Sequence, residues 1–199
     1  MKQEVITMMM QLGFKIDLDR CISCSACTLA CSNENSGTGS ARRRLKPFKT
    51  NVSDLPVIQF SVGCNHCKNP ACLAVCPQRC FKKRRDGIVY HDPYQCIRCE
   101  SCLGACPFHA ITINAYSGKA DKCNFCSDRL AEGRDPACVS ACMSGALSFT
   151  NLSAEKTNVY DGKEQIKMMQ YTEPSILLKM PEHRVVQVKR TMRTSVKSC

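Results

Sequence analysis

Sixteen of the 18 cysteines in this chain fall into four groups of four. The first is Cys21, Cys24, Cys27 and Cys31; the second is Cys64, Cys67, Cys72 and Cys76. The third is Cys96, Cys99, Cys102 and Cys106; the fourth is Cys123, Cys126, Cys138 and Cys142. Cys80 and Cys199 stand outside the pattern. Such density means a disulfide framework in a short secreted chain or bound metal in an intracellular one. At 199 residues the chain is long for a disulfide mini-protein. No secretory signal is read between Met1 and Phe14, where Lys2 and Glu4 accompany a short, interrupted apolar stretch. No run approaches the roughly 18 apolar residues of a membrane span. Cysteine spacing therefore decides the class.

The third group reads C-x2-C-x2-C-x3-C-P, closing at Cys106–Pro107. This is the bacterial ferredoxin run. Three thiolates at a spacing of three wrap one loop around a cubane and let its amides face the sulfurs. The fourth cysteine begins a turn facing away and ligates the neighbouring cluster. Pro107 pre-sets a helix-compatible φ there and removes no N–H that is needed. One such run cannot complete two clusters, so the runs must pair, and four groups make four [4Fe–4S] clusters. Zinc ribbons are the rival reading of C-x-x-C pairs, but a third cysteine followed by C-x3-C-P suits a cubane better. The first group lacks the proline after Cys31; the second and fourth have wider gaps, before Cys72 and Cys138.

The groups are copies of one unit. Asp17-Leu-Asp-Arg-Cys21-Ile22 matches Asp92-Pro-Tyr-Gln-Cys96-Ile97, and Asn69-Pro-Ala-Cys72 matches Asp135-Pro-Ala-Cys138. After the closing cysteines, Cys106-Pro-Phe-His-Ala110-Ile111 matches Cys142-Met-Ser-Gly-Ala146-Leu147. Each copy predicts a ligand loop, a short helical turn and then an alternating strand. Asp86–Gly87 and Ser117–Gly118 predict hairpin turns. Cys80 aligns with Ala110 and Ala146, which reads as small buried packing.

The formal charge is +11. A cubane with four thiolates carries about 2−, so four of them leave about +3; the basic balance reads as compensation for buried anionic clusters. Nucleic-acid binding is the rival, but aromatics make up only 6%, tryptophan is absent and no stacking motif appears. The runs Arg42-Arg43-Arg44 and Lys82-Lys83-Arg84-Arg85 read as solvated faces, or as a surface for an acidic partner. No phosphate-binding glycine loop or nucleophile–base motif appears, so the chain is read as a non-catalytic electron carrier.

Over roughly Phe14 to Phe149 the chain resembles the four-cluster iron–sulfur subunits of the dimethyl sulfoxide reductase family of molybdenum enzymes. The telling stretches are Gly63-Cys-Asn-His-Cys-Lys-Asn-Pro-Ala-Cys72 with Cys76–Pro77, and Lys122-Cys-Asn-Phe-Cys126 running to Pro136-Ala-Cys138 and Cys142. The resemblance implies a crossed ligand scheme: Cys21, Cys24, Cys27 and Cys142; Cys31, Cys123, Cys126 and Cys138; Cys64, Cys67, Cys72 and Cys106; Cys76, Cys96, Cys99 and Cys102. It implies an α+β fold of two bacterial-ferredoxin-like halves, one nested inside the other. Residues 14–59 and 116–150 form the outer half and 60–115 the inner half, with a C-terminal extension over 151–199. It implies as partners a molybdopterin catalytic subunit near the first two clusters and an integral membrane subunit, exchanging electrons with quinol, near the last. Membrane association would then come through partners. The membrane face stays open between the cytoplasmic side and export with a signal-bearing partner.

Three departures stand out. Met143 replaces a common proline, and Arg98 stands where a small residue is commoner. Cys102 stands in the group where some relatives, such as nitrate reductase, have tryptophan and a [3Fe–4S] centre, so four cubanes are expected. The Arg98 charge is expected to raise the potential of the cluster held by Cys76, Cys96, Cys99 and Cys102. His66 and His109 are read as surface or packing residues, since every cubane already has four cysteines. Arg184–Lys189 reads as a short strand, and the basic segment beyond Lys179 as an extension with a loose end. Rival assemblies are a formate dehydrogenase or hydrogenase-linked complex, a free polyferredoxin, or a zinc-binding structural protein.

Overall fold

The computed structural model describes residues 10–35, 42–48, 58–153 and 171–179. The start of the Met1–Phe14 stretch, the strand expected over Arg184–Lys189, the basic tail and Cys199 lie outside the described residues. Nine short strands and five short helices make a mixed fold of small sheets among the described residues. Strand β1 (Leu12–Asp17) alternates, burying Phe14 and Ile16 while Lys15 faces out. It pairs antiparallel with β8 (Leu147–Asn151) and parallel with β9 (Ile176–Lys179), so a segment of the C-terminal extension completes a three-stranded sheet. Strands β2 (Arg44–Phe48) and β3 (Ile58–Val62) pair antiparallel.

The two hairpins expected from the turn signals are present. Strand β4 (Phe81–Lys83) pairs with β5 (Val89–His91), and β6 (Ile111–Ile113) with β7 (Ala120–Lys122). Gly87 and Gly118 occupy the left-handed turn positions, with φ of 83° and 65°. A Cβ on Gly87 would also meet the Gln11 side chain at 2.2 Å.

Helix α1 (Ala26–Glu34) packs against α5 (Ala137–Ser140), and α2 (Ala71–Ala74) against α3 (Ser101–Ala105); α4 (Ser127–Ala131) follows Cys126. Helices this short do not hold in water alone, and four of the five contain at least one cysteine. As the repeat predicts, a strand (β4, β6 or β8) follows each of Cys76, Cys106 and Cys142.

One buried cluster joins Phe14, Ile16, Leu18, Ile88, Phe125 and Leu147 to Cys64, Cys123 and Cys138. Phe14 stacks on Phe125 at 4.2 Å, and His66 meets the Phe125 edge at 5.2 Å. A second joins Phe81, Val89, Ile111 and Ala120 to Cys72, Cys80 and Cys102. Both clusters are built partly of thiols, so the core and the candidate ligands are the same matter.

Candidate metal centres

The repeat reappears in the backbone. In the first C-x-x-C pair of each group the residue before the second cysteine is left-handed: Ser23 (φ 57°), His66 (43°), Arg98 (64°) and Phe125 (63°). So is the third residue after three closing cysteines: Arg79 (51°), His109 (48°) and Gly145 (65°). Only one of these seven is glycine, and the left-handed region strains the rest by about 1–2 kcal/mol each. The strain turns amides onto sulfur. His66 N–H donates to Cys64 Sγ at 3.4 Å and Phe125 N–H to Cys123 Sγ at 3.3 Å. Cys80, Ala110 and Leu147 N–H donate to Cys76, Cys106 and Cys142 Sγ at 3.3, 3.5 and 3.2 Å. Cys31 is the exception that its missing proline foreshadows: α1 runs on through Glu34, the Asn35 side-chain amide donates to the Cys31 sulfur at 3.8 Å, and the Arg42 and Arg43 amides of another segment face it.

Cysteines from different groups meet. Cys21, Cys24 and Cys27 line one space with Cys142. Cys64, Cys67 and Cys72 line another with Cys106, and Cys96, Cys99 and Cys102 line a third with Cys76. Counted with the open solvent at their mouths, the three spaces have volumes of ≈ 380, ≈ 370 and ≈ 380 Å³. In the remaining set Cys31 and Cys138 each feel Cys126, Cys138 feels Cys31, and Cys123 feels Cys138. Burial first, with neighbouring thiols adding, pushes Cys67, Cys72 and Cys123 up to about 12 and Cys102 up to about 11. Crowded buried thiols keep their protons unless a cation shares the space, and iron is such a cation. The thiols, the inward amides and the matched spaces therefore fit iron–sulfur clusters. Cys24 and Cys99 alone among the described cysteines are exposed.

The basic run Arg42–Arg44 is not the solvated face its composition suggests. Arg43 is 3% exposed, lies 4.2 Å over the Phe14 ring and donates to Ser61 Oγ at 3.1 Å. Arg42 pairs with Asp121 at 2.8 Å, and Arg44 donates to the His109 carbonyl. The reversal has a physical cause: this segment crosses the cysteine sites, where positive charge has sulfur to face. The second run keeps Lys82, Arg84 and Arg85 exposed, but Lys83 Nζ reaches the Cys67 and Lys68 carbonyls, each at 3.0 Å. Lys122 is a further buried cation that local composition hid. It donates to the Val89 carbonyl and, at 2.8 Å, to the Cys123 carbonyl, and it lines the space of Cys64, Cys67, Cys72 and Cys106.

His66 is fully enclosed rather than at the surface. Its Nδ1 accepts from Val89 N–H at 3.0 Å, so Nε2 carries the proton and has no partner among the described residues. Burial, then the Lys122 and Arg43 charges, holds it neutral, well below the usual imidazole range. His109 is exposed, a surface residue as the sequence reading has it. Cys80 packs where the repeat puts it, 2% exposed, its N–H on the Cys76 sulfur. His91, which no motif marks, joins Cys80 and Cys96 with ligating atoms within 4.8 Å of one another. Arg98 is exposed at the rim of the same space, its guanidinium over Gly118. Thr172, from the extension, lines the same space as Cys67.

Thiol groups wrapped by strained C-x-x-C loops and joined across the repeat define an iron–sulfur protein of ferredoxin type. In keeping with this, the family of 4Fe-4S dicluster domains matches residues 56–152. A thiosulfate reductase electron transfer subunit from Salmonella typhi is 40% identical over 159 residues, which are 77% of this chain and 83% of that one. The B subunit of the anaerobic dimethyl sulfoxide reductase of Escherichia coli is 35% identical, covering 85% of this chain and 88% of its own. The B subunit of the polysulfide reductase of Wolinella succinogenes is 37% identical, covering 74% and 80%. The chain belongs to this family of iron–sulfur electron-transfer subunits of the dimethyl sulfoxide reductase type, and it is a non-catalytic carrier of electrons. Among the described residues no helix is long and apolar enough to cross a membrane.

Proposed function

We propose that this chain holds four [4Fe–4S] clusters and relays electrons between a membrane subunit that oxidises quinol and a molybdopterin catalytic subunit of an anaerobic respiratory reductase. The first cluster takes Cys21, Cys24, Cys27 and Cys142 as ligands, and the second takes Cys31, Cys123, Cys126 and Cys138. The third takes Cys64, Cys67, Cys72 and Cys106, and the fourth takes Cys76, Cys96, Cys99 and Cys102. The observation that carries this reading is that each closing cysteine stands with another group's thiols, as Cys142 does with Cys21, Cys24 and Cys27.

Each cluster, when bound, supplies a one-electron redox centre. The chain's residues supply the rest: thiolate ligands, amides that stabilise charge on sulfur, and an apolar wall that keeps water out. Two nested ferredoxin-like halves fit the packing of α1 on α5 and of α2 on α3. The β2–β3 and β6–β7 pairs straddle the two boundaries and tie the halves together.

The end clusters are the proposed docking points. Exposed Cys24 has exposed apolar neighbours in Ile22, Leu29 and Met143, and exposed Cys99 has them in Tyr94 and Ile97. Partners covering these faces would bring their own centres within reach of the relay and place the chain at the membrane. Iron and acid-labile sulfide analysis after anaerobic purification, with EPR of the reduced protein, tests the reading. The expected result is about sixteen of each per chain with spin-coupled signals. A colourless protein with about four zinc ions would overturn it.

A further inference from the structure

The guanidinium of Arg43 is buried, yet among the described residues no carboxylate pairs with it. Its electrostatic neighbours are sulfurs: Cys138 and Cys123 first, then Cys27 and Cys31. Cys27 belongs to the first ligand set and the other three to the second. The contacts are built. Arg43 Nη1 donates to Ser61 Oγ at 3.1 Å, Ser61 Oγ lies 3.3 Å from Cys27 Sγ, and the guanidinium lies within electrostatic reach of Cys138. Phe14 covers its face at 4.2 Å. Gly63 leaves it room, since a Cβ there would lie 3.3 Å from the Arg43 Nη2. The Arg42 and Arg43 amides face Cys31, so this stretch of backbone and side chain serves one site as a unit. Desolvating an unpaired cation is strongly unfavourable. It becomes tolerable only if the sulfurs around it carry negative charge.

We infer that Arg43 is a buried cation shared by the first and second clusters, which holds the reduction potentials of both up together. The inference rests on the four-cluster reading. One-electron reduction makes and breaks no bond; it takes a cluster and its thiolates from about 2− to about 3−, the electron coming from the neighbouring centre in the relay. A fixed, buried positive charge beside the sulfurs favours the more negative state. Because the guanidinium faces both ligand sets, it acts on both equilibria. Arg43 is thus a positioning and tuning residue and not a ligand.

The test is an EPR-monitored redox titration, with iron and sulfide analysis, of the full chain in its complex as the wild type, Arg43→Gln and Arg43→Lys. For Arg43→Gln two of the four centres should shift to lower potential by a factor of ten or more in the reduction equilibrium, ~59 mV for one electron. The other two should stay put, and Arg43→Lys should recover most of the shift. If Arg43→Gln instead loses clusters, half the iron should go while Arg43→Lys keeps it, which also supports a role of charge. Four unmoved potentials, a uniform shift of all four, or equal damage in the lysine and glutamine variants would overturn the inference. A wild type lacking four cubanes overturns the cluster reading itself, and its iron content shows this before any variant is compared.

Discussion

Arg98 and Arg43 show how burial decides what one charge can do. Both stand beside proposed ligand sets, but Arg98 is exposed at the rim and Arg43 is enclosed. Water and salt screen the first and hardly touch the second. Arg98 also sits at φ 64°, a backbone position that glycine occupies without strain. Replacing it with glycine should therefore lower the potential of the fourth cluster by less than Arg43→Gln lowers the first two. It should also stabilise the fold by about 1 kcal/mol, raising the apparent Tm by ~2–4 °C. Redox titration and a thermal scan of the holoprotein check the two halves; a potential drop as large as that of the buried arginine would show that screening does not govern the site.

At the level of elements, the segment from 171 to 179 does more than extend the chain. Lys68 and Asn69 N–H donate to the Glu173 and Thr172 carbonyls at 2.8 and 3.0 Å. Ser175 N–H donates to the Asn65 carbonyl at 2.9 Å, and Ser175 Oγ donates to the His66 carbonyl at 2.9 Å. Strand β9 then pairs with β1, bringing Ile176 and Leu178 into register with Phe14 and Ile16. The strap thus clamps the Cys64–Cys67 loop to the sheet. Leu178→Glu puts a charge against that core and should destabilise the protein by about 2–3 kcal/mol. Iron should be lost first from the cluster of Cys64, Cys67, Cys72 and Cys106, which iron analysis and EPR would register. Loss spread evenly over all clusters would deny the strap this local role.

For the molecule as a whole, cofactor and fold stand or fall together. Thiols fill much of both buried clusters, and Arg43 and Lys122 are buried with sulfur and carbonyl oxygen around them. Removing iron with a chelator and an oxidant should leave these cations uncompensated and the thiol walls facing emptied space. The chain should then lose its far-ultraviolet circular dichroism in step with its visible absorbance, and recover both on anaerobic reconstitution. A fully folded apo chain would show that the apolar residues suffice alone. The cysteine spacing by itself determined the iron–sulfur class, the repeat and the family, and the Asp86–Gly87 and Ser117–Gly118 turn signals the hairpins, because a cubane's loop and a tight turn are local geometry written in consecutive residues. Only the tertiary structure decided that Arg43 and Lys122 are interior cations, that His66 is enclosed, that His91 backs a site and that Thr172 lines the space of Cys67. Those roles depend on which distant segment covers a side chain, and a basic run reads the same whether water or sulfur lies beside it.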